Sequence, residues 1–272
     1  MFLELDEKAK ILYTNAEQFL LSKLGLADWQ PTQQTTFVRN FSEFLHADRL
    51  DAEYFQPKYE HIINTIKNKT HCVIKDIQES NRRGVQPTYI EDEPIKVVTS
   101  KHIGSEAIEY DQLDHATEEE WRKNPLAHIK LMDILIYTTG ANIGRTQCFL
   151  EHERAIASNH VNILRVRELN PVYTALFLNS LVGQMQVQRM VSGSAQVELY
   201  PSNIAQFVIW NAPREIQAEI ARLVHTSHTA RKHSKLLLDI AKRGVELAIE
   251  QDEQRAEAWI QSQIRTLDIE ID

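Results

Sequence analysis

The sequence predicts a mixed α/β (α+β) chain, with one globular middle region flanked by an N-terminal helix and a long C-terminal helix. Three observations carry this. Apolar residues recur at three- and four-residue steps near both ends. The middle is built of short β-branched or apolar runs, such as Val97-Val98-Thr99 and Ile134-Leu135-Ile136-Tyr137, punctuated by Pro, Gly and Asn. Six of the eight glycines (Gly84, Gly104, Gly140, Gly144, Gly183 and Gly193) fall in that middle, where turns are needed.

The leading helix is read from Leu5, Ala9, Leu12, Ala16, Phe19, Leu20 and Leu24, closed by Gly25 as a C-terminal cap. Trp29-Gln30-Pro31-Thr32 is a turn and connector. A second helix is expected from Pro57 to about Lys67, with Tyr59, Ile62, Ile63 and Ile66 on its apolar side. The strand-type middle follows, including Ile163-Leu164-Arg165-Val166. One helix interrupts it, where Asn170 is a natural N-cap, Pro171 takes the first helical position, and Tyr173, Leu176, Phe177 and Leu181 follow on one side.

From Pro213 onward a helical spacing runs through Ile216, Ile220, Leu223, Val224, Leu237, Leu238, Ala241, Val245, Ala248 and Ile249 without a proline. A helix of ~35–45 residues would be ~50–65 Å long, a length suited to a spacer or a helix pair. Ser227, Arg231 and Ser234 interrupt the stripe, so it is an imperfect coiled-coil seam, and Ala241, Gly244 and Ala248 are small enough for close helix approach. Ile220, Val224, Leu238, Ala241, Val245 and Ala248 are the candidate helix-pairing residues. The expected organisation is a helix and connector over 1–48, a globular domain over 49–213 and a long helix over 214–272.

Composition narrows the function classes. The 272 residues allow one or two domains and a real core, and 43% hydrophobic with 25% charged residues is ordinary for a soluble globular chain. Two cysteines, Cys72 and Cys148, cannot form a disulfide framework, and they fit free thiols in a reducing compartment. No apolar run approaches the ~18–20 residues that span a bilayer, and the first residues lack the pattern of a signal peptide. A cytoplasmic chain without membrane association is therefore expected. Thirty Lys and Arg against 38 Asp and Glu leave a formal net charge of −8, and residues 1–68, 69–213 and 214–272 are each acidic on their own. Bulk-charge coating of nucleic acid is excluded on that balance, but local basic surfaces are not.

No complete catalytic motif is present. Asn170-Pro171-Val172-Tyr173 lacks the second proline of the Asn/Asp-Pro-Pro-aromatic loop of amino-group DNA methyltransferases, and capping explains its Asn-Pro. Gly140 and Gly144 lack both the dinucleotide-binding and the Walker spacing. The eleven histidines show no metal-ligand spacing beyond His225 and His228, three apart on one helix. Ser192-Gly193-Ser194 lacks the nucleophile-elbow spacing. Glu91-Asp92-Glu93 and Glu118-Glu119-Glu120 read as solvated charge. No metal site and no catalytic residue is assigned.

Residues suited to recognition do collect in the middle. Arg82-Arg83 form a basic turn before a strand, and Lys101, Arg145, Asn159, His160, Arg189 and Gln196 lie at expected strand ends or loops. Arg, Lys, Asn and Gln pair with base edges, while Ser, Thr and backbone amides hold phosphates. These eight residues are the candidate DNA-binding set.

Several segments together resemble the DNA-specificity (S) subunit of type I restriction–modification systems. Arg49-Leu50-Asp51-Ala52-Glu53-Tyr54-Phe55-Gln56-Pro57-Lys58-Tyr59 is similar to the entry into a target recognition domain. Asp133-Ile134-Leu135-Ile136-Tyr137-Thr138-Thr139-Gly140-Ala141-Asn142-Ile143-Gly144-Arg145 resembles that domain's strand and turn. Ala157-Ser158-Asn159-His160, Asn170-Pro171 through Ser180, Ser192 to Gln196, and Gln217-Ala218-Glu219-Ile220 complete an ordered set over about residues 49–250.

The resemblance implies a target recognition domain at 49–213 that reads one half of a split DNA site, followed by a spacer helix. It implies no cofactor in this chain, because S-adenosylmethionine and catalysis would belong to partner DNA methyltransferase subunits. A restriction subunit is a further partner it allows. A full specificity subunit carries two recognition domains, whereas this chain has room for one and shows no internal repeat. The resemblance therefore implies a half subunit that pairs with a second copy of itself, or with another half subunit, and reads double-stranded DNA. Two other readings stay open on sequence: an adenine methyltransferase or nuclease fragment, and a helical interaction scaffold without DNA binding.

Overall fold

The computed structural model describes residues 2–191 and 198–266. It divides into two compact units, Met1–Ala16 with Arg222–Asp272, and Glu17–Ala221. Both boundaries fall inside helices.

Helix α1 (Phe2–Leu24) forms as its periodicity dictates. It ends where Gly25 takes φ +78°, letting the Leu26 N–H donate to the Leu21 carbonyl at 2.8 Å and close the last turn. Helix α2 (Phe41–Ala47) follows the connector, and α3 (Pro57–Lys67) buries Tyr59, Ile62 and Ile66. The Arg49–Tyr54 segment between them is held by its own polar groups. Arg49 pairs with Asp51 at 2.7 Å, and the Glu53 carboxylate accepts from the Tyr59 hydroxyl at 2.6 Å and pairs with Lys58 at 3.0 Å.

Strand β1 (His71–Val73) is followed by α4 (Ile74–Ile77), β2 (Gln78–Arg83), β3 (Ile95–Val98), β4 (Asp114–Ala116), α5 (Glu118–Lys123), β5 (His128–Ile129), β6 (Ile134–Tyr137), β7 (Thr146–Cys148), β8 (Ala155–Ala157) and β9 (Val161–Val166). Helices α6 (Pro171–Asn179), α7 (Leu181–Val191) and α8 (Pro201–Ile204) precede the last strand, β10 (Val208–Trp210). One four-stranded sheet has the order β2-β9-β6-β7, all antiparallel. A second has the order β4-β3-β8-β5, with β3 and β8 parallel. Strands β1 and β10 make a separate antiparallel pair.

The two larger sheets share a core. Leu135, Val161 and Ile163 come from the first; Val98, Ile129, Ala155 and Ala157 come from the second; Phe149 lies among them. All eight are essentially inaccessible, and each Leu, Ile or Phe so buried contributes about 1.5–3 kcal/mol. The alternation along β9 puts Val161 and Ile163 in this core and leaves Asn162 and Leu164 for the other face.

Helix α6 starts as its cap residues predict: the Asn170 carboxamide oxygen accepts from the Val172 N–H at 2.9 Å and the Tyr173 N–H at 3.2 Å. Asn170→Ala is expected to cost about 1 kcal/mol, measured as a shift in the denaturant midpoint without a change of slope.

Two local expectations are corrected. Arg82 and Arg83 end strand β2, antiparallel to β9, and do not form a turn before a strand. The strand was obscured by its polar sequence, Gln-Glu-Ser-Asn-Arg-Arg. Arg189 lies in helix α7, not at a strand end or in a loop. That helix is rich in glutamine, and its buried Gln186 exchanges two hydrogen bonds with the Val208 backbone, of 3.0 and 2.8 Å.

Helix α9 (Arg214–Glu250) spans 37 residues, of which those from Arg222 onward belong to the other unit, and α10 (Glu253–Thr266) follows after a break at Gln251–Asp252. Asp252 starts α10 by accepting from the Arg255 N–H at 2.8 Å. The helix from Arg214 is as long as expected, but residues 214–266 form two helices, not one. The polar interruptions of the α9 stripe have partners on α1: the Ser227 hydroxyl donates to the Ala9 carbonyl at 2.6 Å, and Arg231 lies 3.9 Å from Asp6. Ile260 of α10 covers Gly244, where an added Cβ would meet its Cδ1 at 2.4 Å. Of the candidate pairing residues, Ile220 and Val224 are buried, Leu238 and Ala248 are half-buried, and Ala241 and Val245 are exposed. No helix among the described residues is long and apolar enough to cross a membrane.

Candidate nucleic-acid interface

Strand register decides which candidate residues meet. Strands β2 and β6 finish, and β9 and β7 begin, at one end of the first sheet. There Arg83 is in register with Asn162, and Tyr137 with Val161. Beyond the paired residues, the Gly84 N–H donates to the Val161 carbonyl at 2.9 Å, and the Thr138 N–H to the His160 carbonyl at 3.0 Å. The Tyr137 N–H donates to the Arg145 carbonyl at 2.8 Å. Arg82, Arg83, Asn159, His160 and Arg145 are thus brought to one sheet end from three separate stretches of sequence. The second sheet adds a fourth: β3 runs parallel to β8, the Ser158 N–H donates to the Val98 carbonyl at 2.9 Å, and Lys101 follows β3 by three residues.

Close approach makes this convergence possible. A Cβ at Gly84 would stand 2.0 Å from the Ala157 carbonyl oxygen, so only glycine lets β2 leave its sheet beside the end of β8.

The side chains at this end are not equivalent. Arg83 is committed internally: it donates to Glu198 at 2.6 Å and to the Leu199 carbonyl at 3.0 Å, and it lies over the Tyr200 ring at 4.9 Å. Glu198 also accepts from the Tyr200 hydroxyl at 2.5 Å and from Thr139 at 3.3 Å. The Tyr200 hydroxyl and then the Arg83 guanidinium hold the Glu198 carboxyl below the usual carboxylate range. Arg82, one residue earlier and on the opposite face, donates to the Ser80 hydroxyl at 2.9 Å. The half-buried Arg145 guanidinium has no hydrogen bond or ion pair among the described residues, and His160 is exposed. Lys101 is exposed and pairs with Asp114 at 2.9 Å.

Two candidates fall outside this group. Arg189 lies 4.3 Å from the centre of the Tyr54 ring and donates to the Tyr54 carbonyl at 3.3 Å. Arg49 approaches the same ring at 4.4 Å, so Tyr54 is flanked by two guanidinium groups. Gln196 lies outside the described residues. Sequence reasoning missed Glu198, whose only signal was an isolated acidic residue 115 positions beyond Arg83. Among the described residues, no group of three His, Cys, Asp or Glu is placed to hold a metal ion.

With this geometry in view, the solved structure of the type I restriction–modification S subunit from M. genitalium matches all of the chain. It does so with a TM-score of 0.50, 9% identity and 57% of its own length covered. The chain shares that fold. Two further solved structures are similar at lower scores. One, described as showing the assembly and conformational transition of a type I R-M system, has a TM-score of 0.45, 11% identity, and 97% of this chain and 55% of that one covered. The HsdS subunit from Thermoanaerobacter tengcongensis has a TM-score of 0.42, 13% identity, and 98% and 52% covered. The chain spans a little over half the length of the structures it matches. No protein-family model matches the sequence, and no curated protein matches it.

Proposed function

We propose that this chain is a non-catalytic, sequence-specific DNA-recognition subunit that directs a partner adenine methyltransferase to a split site on double-stranded DNA. The observation that carries the reading is the gathering of Arg82, Arg145, Asn159, His160 and Lys101 at one end of two packed sheets, on a specificity-subunit fold. Cationic and amide side chains on strand ends suit phosphate contact and base-edge readout together. In this reading, residues 49–213 are the recognition domain and the long helical part sets half-site spacing. The chain then works as a half subunit paired with a second copy or another half subunit. S-adenosylmethionine is carried by the methyltransferase, and a restriction subunit is a further partner of the complex.

The formal charge of −8 bears on mechanism. An acidic chain gains little from counterion release, so it should bind duplex DNA weakly alone and tightly only within the methyltransferase complex. The test is co-expression with a partner methyltransferase, followed by mapping of methylated adenines across a genome. A two-part motif with a fixed gap is expected; an uninterrupted motif, or methylation unchanged by omitting this chain, overturns the reading. In the complex, Arg145→Ala should weaken binding roughly 5- to 100-fold. Titration of wild type and variant at one salt concentration checks this, and equal affinities would remove Arg145 from the interface.

A further inference from the structure

The connection between β6 and β7 is a turn fixed by several main-chain hydrogen bonds and two glycines. The Gly144 N–H donates to the Tyr137 carbonyl at 2.8 Å, the Arg145 N–H to the Asn142 carbonyl at 3.1 Å, and the Ile143 N–H to the Gly140 carbonyl at 3.3 Å. Gly140 and Gly144 hold φ values of +123° and +90°, which side chains disfavour. A Cβ at Gly144 would also meet the Val187 methyl groups at 2.8 and 2.9 Å. Helix α7 secures the turn from behind, where Gln184 donates to the Gly144 carbonyl at 2.9 Å. Asn179 accepts from the Thr146 N–H at 2.9 Å, just beyond it.

At the tip of this braced turn, Ala141 and Asn142 are exposed. The Asn142 carboxamide has no hydrogen bond among the described residues, and Arg145 stands three positions on. The turn is held through main-chain atoms and glycines, so Asn142 contributes only its carbonyl to it and its amide is left over. An asparagine amide offers a donor and an acceptor in one plane, the pattern that matches the N6 and N7 edge of adenine in the major groove. The backbone that carries this side chain is held in place before binding by the turn's main-chain hydrogen bonds.

We propose that Asn142 is a specificity-determining residue that reads a base edge from the tip of the β6–β7 turn. The proposal rests on the DNA-recognition reading above and adds a residue and a chemical role to it. The test uses the chain in its methyltransferase complex on a DNA library randomised across the half-site, comparing wild type with Asn142→Ala and Asn142→Asp. Asn142→Ala should lower the preference at one base-pair position by roughly 5- to 100-fold, leave the other positions unchanged, and keep the melting temperature of wild type. Asn142→Asp, which loses the amide donor, should change the preferred base at that same position. An unchanged motif in both variants overturns the proposal while the DNA-recognition reading stands. So does an equal loss across all sequences, which would make Asn142 a backbone contact. A wild-type complex that methylates without sequence preference overturns both.

Discussion

Asp133→Ala should destabilise the chain by about 3 kcal/mol, because it removes a buried carboxylate that accepts charge-assisted hydrogen bonds from a half-buried guanidinium. Asp133 is 2% exposed and immediately precedes β6, and its partner Arg165 is half-buried. Its carboxylate accepts two hydrogen bonds from Arg165 on β9, at 2.6 and 2.8 Å, and a third from the Lys130 N–H at 2.7 Å. Its own carbonyl takes the Phe149 N–H at 2.8 Å. One residue thus ties the turn before β6 to the neighbouring strand. Removing it leaves the Lys130 amide without its acceptor and the Arg165 guanidinium with the His128 carbonyl, at 2.9 Å, in place of a carboxylate. Replacing both members, as Asp133→Ala with Arg165→Met, should recover part of the loss, because no charge is then stranded. Urea unfolding of the two single variants and the double variant measures this. A single-variant loss below about 1 kcal/mol would show that solvent reaches the pair.

Gly84→Ala is the second large effect, and it joins stability to the interface. A methyl group 2.0 Å from the Ala157 carbonyl oxygen has no room, and the obstacle is main chain, which cannot rotate aside. Relief requires the end of β2 to move from β8. That breaks the Gly84 N–H to Val161 and Val85 N–H to Ala157 hydrogen bonds, of 2.9 and 3.0 Å. A loss of about 3 kcal/mol is expected, the upper part of the usual range for overpacking. Arg82 directly precedes this strand end, so in the proposed reading any folded Gly84→Ala protein should also bind DNA less well in the methyltransferase complex. Ala141→Gly, at an exposed tip, is the control and should stay within about 0.5 kcal/mol. Gly84→Ala unfolding at the wild-type midpoint would mean that the strands separate at little cost.

The elements that could be read from sequence were those with a local cause. Periodicity and Gly25 mark α1, Pro57 opens α3, and Asn170-Pro171 opens α6, because each start or stop is a property of neighbouring residues. The apolar runs of β3, β6 and β9 were visible for the same reason. What stayed hidden depends on partners distant in the chain. Strand β2 is polar because Asn81 and Arg83 bond side chains and carbonyls at Asn162 and over 198–201. The break at Gln251–Asp252 has neither proline nor glycine to announce it. Candidate binding residues could be chosen by type, but their division between internal and outward roles could not. Arg82 and Arg83 are the same amino acid, and only the pleat and Glu198 separate them.

The turns at the interface are secured by main-chain hydrogen bonds and by glycines, while Ala141, Asn142 and His160 at their tips are exposed. Changes at those tips are cheap in folding free energy, and changes at Gly84, Asp133 or Gly144 are not. In the proposed DNA-recognition reading, new targets would be reachable by exchanging a few tip residues on an unaltered frame, one position at a time, without passing through unfolded intermediates.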